Sequence, residues 1–371
     1  MKWSLKLSQV AGIGIYAHWT FLLLIFWIMA AHLGAGSGLR MALQGLAFIL
    51  AIFGCVVLHE LGHALTAQRF GIRTMDITLL PIGGVARMER IPEEPRQELW
   101  IALAGPAVNV VIAAVLFALG TVLTGVGSLY DVAIVGGDFV TNLIRVNLVL
   151  VAFNLLPAFP MDGGRVLRAL LAHRLSYVRA TQLAATIGQG MAIAFAIIAF
   201  FGNWFLLFIA LFVFVGAEQE ARMVQAHAIL RDAETKSAMM TRFHALSPDD
   251  TLGTAAGELL AGAQEDFPVL DHGHFEGILP RSTLIRELAH SGPNVPVRSV
   301  MRRDCPVADD DNTLEDTFEK IREGECSSLP VFHDGHLVGV VTLQNIGDWM
   351  MVRSALDRNE SPEKAEELLK V

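Results

Sequence analysis

Six stretches in the first 216 residues of this 371-residue chain are dominated by apolar side chains, at residues 13–33, 41–67, 100–123, 140–156, 181–201 and 204–216. A helix needs about 20 such residues to cross the hydrocarbon layer, and inside that layer every backbone amide must be paired. One architecture answers both demands, a bundle of membrane-spanning helices. A composition of 53% hydrophobic and 18% charged residues agrees with it. Pro157 and Pro160 cut the end of the fourth stretch, and the sixth is short, so their limits are soft. The basic start at Lys2 and Lys6 is followed by no small-residue cleavage site, so the first stretch reads as a retained span.

Charge then orients the bundle. With the N-terminus inside, the inner flanks hold Lys2, Lys6, Arg69, Arg73, Arg87, Arg90, Arg96, Arg165, Arg168, Arg174, Arg179 and Arg222. The outer flanks keep only Arg40 and Arg145, beside an acidic loop near Asp131 and Asp138. By the positive-inside rule both termini are expected on the cytoplasmic side of a cell membrane. Residues 72–88 break the pattern. Alternation over residues 74–80, then Pro81 and Gly83-Gly84, predicts a short strand hairpin at the inner surface, with a free edge on the Thr74–Leu80 strand that could take up a peptide strand.

The chemistry sits in two places. His59-Glu60-Leu61-Gly62-His63 puts two imidazoles one helical turn apart on one face, where they can share a zinc ion, with Glu60 beside them as a proton acceptor. A solvated helix end would be the plainer reading. However, ionisable groups at membrane depth are costly without a functional partner. Zinc needs a third protein ligand and an open fourth position. Residues 154–164, Asn-Leu-Leu-Pro-Ala-Phe-Pro-Met-Asp-Gly-Gly, offer Asp162 from a proline-broken turn. Cys55, one turn before His59, reads as a small apolar filler, although a thiol near the metal is conceivable. His18 could line the site or anchor the first span, and Asp76 and Glu89 read as solvated loop residues. Cys55, Cys305 and Cys326 are too few and too scattered for a disulfide framework or a thiolate zinc site.

In order and spacing these motifs resemble the site-2 protease family of intramembrane zinc metalloproteases, over about residues 10–220. Ala104-Gly105-Pro106-Ala107-Val108-Asn109 and Pro81-Ile82-Gly83-Gly84 belong to the same resemblance. It implies one Zn2+ per chain held by His59, His63 and Asp162, with Glu60 as general base. It further implies that Asn154 positions substrate or stabilises the oxyanion, and that Gly83 and Gly84 pair with a substrate strand.

The remainder of the chain differs. Residues 1–230 carry 14 Lys+Arg against 11 Asp+Glu, while residues 231–371 carry 14 against 26, which excludes nucleic acid as a partner for the acidic part. That part contains a repeat of about 60 residues. Val297 to Met301, Leu329-Pro330-Val331 and Gly339 to Thr342 answer to Lys236 to Thr241, Phe267-Pro268-Val269 and Gly277 to Pro280. The repeat resembles a CBS domain pair of β-α-β-β-α units, with copies at about 233–291 and 295–352, inside a module at 231–352 between a membrane domain at 1–230 and a charged tail at 353–371. The resemblance implies an adenine nucleotide in the cleft between the copies, or else a homodimerisation and docking role. The ribose signature is Thr342 with Asn345, where the first copy has Pro280 and Thr283.

The expected fold is therefore a six-span α-helical membrane protein with a small cytoplasmic-face hairpin and a C-terminal α/β CBS pair. The expected function is zinc-dependent hydrolysis of membrane-associated or transmembrane protein substrates, modulated by the CBS pair. A CBS-regulated transporter would call for symmetry-related halves with broken helices, which these stretches lack. An inactive scaffold would have no need of Glu60.

Overall fold

The computed structural model describes residues 4–34, 38–81, 83–89, 92–124, 139–262, 264–324 and 326–359. Lys2, Ile82, Arg90, the loop with Asp131 and Asp138, and the tail beyond residue 359 lie outside the described residues. The chain divides into two units, Met1–Arg222 and Met223–Val371.

In the first unit, strands β1 (Ser4–Val10) and β2 (Ile13–His18) precede helices α1 (Trp19–Gly34) and α2 (Gly38–Arg69). Strands β3 (Thr74–Leu80) and β4 (Gly83–Met88) follow, then helices α3 (Pro95–Thr124), α4 (Phe139–Asn154), α5 (Asp162–Ala172), α6 (Tyr177–Ala199) and α7 (Trp204–Arg231). Four helices are long and apolar enough to cross a membrane: Gly38–Arg69, Pro95–Val122, Tyr177–Ala199 and Trp204–Arg231. Trp19–Ala31 and Phe139–Asn154 are shorter apolar helices. Of the six expected spans, four thus have spanning length. The first apolar stretch is split, because residues 13–18 form β2 rather than the start of a helix.

The expected hairpin is half of a four-stranded sheet of order β1-β2-β3-β4. β1 and β2 form a hairpin through Ala11 (φ 51°) and Gly12 (φ 84°), both in the left-handed region that two-residue hairpin turns demand. β2 pairs with β3 in parallel, which requires a crossover, and α1 with α2 supply it. One face of the sheet buries Ile13, Ile15 and Ile77 against Leu61 and Ala64 of α2. Burying each such isoleucine contributes about 1.5–3 kcal/mol, so the sheet is fixed to the helix that carries the histidines. Two expectations change here. β3 is paired on both sides, so it has no free edge, and β4 is the edge strand on that side. Asp76 is buried rather than solvated, and it pairs with its cross-strand neighbour Arg87.

The proline-rich segment leads into α5, which opens at Asp162 itself. Arg168 on α5 is 1% exposed rather than facing the headgroups. Its Nε donates to Glu98 Oε1 of α3 at 2.7 Å, its Nη1 donates to Glu220 Oε1 of α7 at 2.7 Å, and the rings of Phe159 and Tyr177 lie 5.0 and 4.8 Å from its guanidinium carbon.

The second unit contains α8 (Leu252–Ala261), β5 (Phe267–Asp271), β6 (His274–Leu279) and α9 (Arg281–Ser291). β7 (Ala308–Asp309), α10 (Leu314–Glu323), β8 (Ser328–His333), β9 (His336–Thr342) and α11 (Leu343–Asn359) complete it. The bulge at Val269/Leu270 recurs at Val331/Phe332, a spacing of 62. At that same spacing each copy completes the other. Met240 pairs with Val340 on β9, and Arg302 pairs with Ile278 on β6. Each copy keeps its own apolar core, around Leu252, Phe267 and Leu284 in the first and Leu314, Leu329 and Val341 in the second. Cys305 and Cys326 form a disulfide within the second copy, a pairing their spacing in sequence does not suggest.

Candidate metal centre

Helix α2 carries His59, Glu60 and His63, and α5 begins with Asp162. The structure brings the two imidazoles and the carboxylate together. His63 Nε2 lies 3.1 Å from His59 Nε2 and 3.1 Å from Asp162 Oδ2, and His59 Nε2 lies 3.3 Å from the same oxygen. All three residues are buried, and among the described residues they form the one group of three or more His, Cys, Asp or Glu side chains poised around a common point.

The protons decide what this group is. His63 Nδ1 is 2.6 Å from the carbonyl oxygen of Ile101, which can only accept, so in the neutral imidazole Nδ1 holds the hydrogen and Nε2 presents a bare lone pair. His59 Nδ1 is 2.8 Å from Asn109 Oδ1, with the same consequence. Two bare nitrogens and a carboxylate oxygen therefore face one another. One added proton would satisfy a single edge of that triangle, whereas a cation at its centre satisfies all three. Zinc bonds of about 2.0–2.1 Å in tetrahedral geometry give ligand-to-ligand edges of about 3.3–3.4 Å, close to the edges of 3.1, 3.1 and 3.3 Å here. The donor set and its spacing fit a zinc ion with one position open.

Backbone crowds the group on the α3 side. A side chain at Gly105 would run into both Nε2 atoms, with His59 Nε2 only 2.7 Å from an added Cβ. That is a physical reason for glycine in the Ala104–Asn109 motif. Glu60 stands against the edge strand, since a Cβ at Gly84 would lie 2.7 Å from Glu60 Cγ and 3.3 Å from Oε1. Gly83, at the start of β4, pairs with Leu80. Asn154 ends α4 half-buried, and no hydrogen bond joins its side chain to the histidine-aspartate group among the described residues. His18 Nδ1 bonds Thr20 Oγ1 instead, at 2.8 Å. Cys55 Sγ accepts from Asn147 Nδ2 at 3.4 Å, which makes it a buried acceptor as well as a filler. A cavity of about 340 Å³ between α2 and α3, lined by Arg69, Phe70, Trp100 and Leu103, includes none of the expected site residues.

Sequence reasoning missed Asn147, Glu98, Arg168 and Glu220 as structural partners. A signal existed for the first: a carboxamide two helical turns before Asn154, followed by the apolar run Leu148 to Phe153, is costly unless it is bonded. In the second unit Thr342 and Asn345 engage each other. Thr342 Oγ1 donates to Asn345 Oδ1 at 2.8 Å and accepts from Asn345 N at 3.1 Å, while Thr342 N donates to Asn345 Oδ1 at 3.2 Å, a capping box at the start of α11.

Comparison with known proteins follows the same division. The sequence profile of peptidase family M50 matches residues 47–136 and 132–197, and that of the CBS domain matches residues 235–290 and 297–351. A zinc metalloprotease of Methanocaldococcus jannaschii is 33% identical over 347 residues, covering 93% of this chain and 96% of that one. Rip3 of Mycobacterium tuberculosis is 28% identical over 375 residues, covering 93% and 92%. The solved structure of a site-2 protease from Methanocaldococcus jannaschii is 38% identical, covering 59% of this chain and 96% of that one, with a TM-score of 0.44.

Proposed function

This chain belongs to peptidase family M50, as a zinc metalloprotease of the site-2 protease type with a C-terminal CBS pair, and we propose that His59, His63 and Asp162 hold its metal while Glu60 is its general base. The observation that carries the ligand set is the convergence of His59 Nε2, His63 Nε2 and Asp162 Oδ2 within 3.1–3.3 Å of one another. When bound, zinc polarises the scissile carbonyl and makes water acidic enough to be deprotonated near neutral pH. Glu60 accepts that proton and later delivers it to the leaving amine. Its neighbour β4 is an edge strand of the sheet among the described residues, so an unwound substrate adds there as a further strand along Gly83 and Gly84, rather than along β3. The proximity of Gly84 to the Glu60 side chain supports this, because a strand paired at that edge passes beside the base. Asn154, eight residues before Asp162, is assigned to substrate positioning or the oxyanion.

The substrates are membrane-associated or transmembrane proteins. We assign six spans and cytoplasmic termini from the charge asymmetry, and the division into residues 1–230, 231–352 and 353–371 from the change in composition. The CBS pair modulates the protease by binding an adenine nucleotide or by forming a homodimer. For the nucleotide role, the Thr342–Asn345 capping box would have to open or share its acceptors with a ribose. Titration calorimetry of the full chain with ATP and AMP that gives no heat would remove the nucleotide role.

The decisive experiment measures zinc content and peptidase activity in the wild type, Glu60→Gln and Asp162→Ala. Glu60→Gln is expected to keep about one zinc per chain and lose activity by ~10²–10⁴-fold. Asp162→Ala is expected to lose both. Undiminished cleavage by Glu60→Gln would remove the base, and undiminished zinc in Asp162→Ala would remove the ligand set.

A further inference from the structure

Three helices meet at a buried chain of amides behind His59. Asn109 on α3 and Asn147 on α4 are both 0% exposed. Asn147 Nδ2 donates to the carbonyl oxygen of Leu143 at 2.8 Å and to Cys55 Sγ at 3.4 Å. Its Oδ1 accepts from Asn109 Nδ2 at 3.0 Å, and Asn109 Oδ1 faces His59 Nδ1 at 2.8 Å. We propose that Asn147 is a positioning residue for the metal centre, fixing through Asn109 which nitrogen of His59 carries the hydrogen. The proposal rests on His59 being a zinc ligand.

The argument is one of polarity. A carboxamide has one accepting end and one donating end, so an isolated pair of asparagines could face either way. The Leu143 carbonyl removes that freedom because it can only accept. It therefore holds the NH2 of Asn147, which turns Oδ1 toward Asn109. Asn109 must then offer its own NH2 to Asn147 and its oxygen to His59. His59 in turn must keep its hydrogen on Nδ1, leaving Nε2 bare toward His63 and Asp162. Reversing Asn147 would set two oxygens against each other at the Leu143 carbonyl. It would also reverse Asn109 and drive the imidazole hydrogen onto Nε2, where a metal cannot bind. His63 needs no such relay, because its Nδ1 meets the Ile101 carbonyl directly. The two ligands thus reach the same tautomer by different routes, and only one route passes through a side chain on α4.

The test is zinc affinity of the metal-free full chain, measured by competition with a chromogenic chelator in wild type, Asn147→Leu and Asn147→Asp. Leucine keeps the branched heavy-atom skeleton and abolishes the polarity. Aspartate keeps an accepting oxygen toward Asn109 Nδ2 in either protonation state. Outer-shell partners of metal-bound histidines are worth ~10–100-fold in affinity, so Asn147→Leu is expected to weaken zinc by that factor while Asn147→Asp stays within about threefold of wild type. A packing role predicts the opposite order, since aspartate would bury a charge and leucine would not. Wild-type affinity in Asn147→Leu, or equal weakening in both variants, overturns the relay. If Asn147→Leu does not fold, Asn147→Ala is read against the same two outcomes. Failure of the wild type to take up zinc would instead overturn the ligand set itself.

Discussion

The membrane unit holds two buried polar clusters that differ in where the positive charge comes from. His59, His63 and Asp162 direct three acceptors at a common centre and have no donor among themselves. Glu98, Arg168 and Glu220 direct two carboxylates at a guanidinium that the chain itself provides. The first cluster is open, since it is complete only when something positive arrives from outside. The second is closed in charge, since Arg168 is its cation, while Glu98 Oε2 has no hydrogen-bond partner among the described residues. Desolvating charges costs several kcal/mol per ion even after relaxation, so each cluster lowers stability in apolar surroundings until a counter-charge is present. What separates the two is whether the chain itself supplies the counter-charge. The two are also mechanically related: Arg168 clamps α5 between α3 and α7, and Asp162 is the first residue of that helix.

That contrast can be broken at either end. The largest effect is expected at the open cluster. Structural zinc in zinc-finger peptides binds with about 10–16 kcal/mol, and an equal share for each of three protein ligands is about 3–5 kcal/mol. Asp162→Ala should therefore weaken zinc by ~10³-fold or more. The metal-free variant should unfold no earlier than the metal-free wild type, because a mutual repulsion has been relieved; calorimetry on both forms checks this. Arg168→Met should behave in the opposite way. It strands two buried carboxylates and should cost about 3–5 kcal/mol of stability, while the fraction that remains folded still binds zinc. Equal loss of stability in the two variants would erase the distinction between open and closed. Third, Gly84→Val should leave zinc uptake intact and lower peptidase activity by ~10²-fold, since displacing a reacting group by about 1 Å has that order of consequence. Comparing zinc content with turnover separates this from damage to the metal group.

An exposed ion pair sets the floor of the series. His333 Nδ1 lies 2.9 Å from Asp310 Oδ1 in the second unit, and that hydrogen bond, with the nearby charge of Asp310, raises the imidazole above its ordinary pKa of 6.5. A raised histidine stabilises the folded state below its unfolded pKa, and the contribution fades as pH climbs through the folded value. His333→Gln should therefore lower the unfolding temperature slightly at about pH 5.5 and hardly at all at about pH 8.5. An effect larger at the higher pH would reverse the assignment.

How much of this is legible in the sequence depends on whether the information is local. His59 and His63 announce themselves because a separation of four fixes two side chains on one helical face whatever surrounds them. Asp162 is legible through the prolines and glycines about it, although the helix it opens is not. Pairing across the sheet is hidden. Residues 5–8 alternate and Ala11-Gly12 is a turn signal, yet the apolar run from Ile13 masks both. Nothing local announces that β2 returns beside β3 in parallel after two helices, so β3 has the look of an edge until its partner is seen. Arg168 has the look of a headgroup-facing cation, because its partners lie 70 positions before and 52 positions after it. The CBS repeat is visible as a period, but the disulfide between Cys305 and Cys326 requires a closeness that only folding reveals.

The crossed pairing in the second unit, Met240 with Val340 and Arg302 with Ile278, bears on how such a chain can change over generations. Cutting the tail between its copies would leave each half with an unanswered strand edge, so a half-length regulator is a poor intermediate. Gain or loss of the appendage should proceed in whole pairs, and a chain truncated near residue 291 should be prone to sticking to itself.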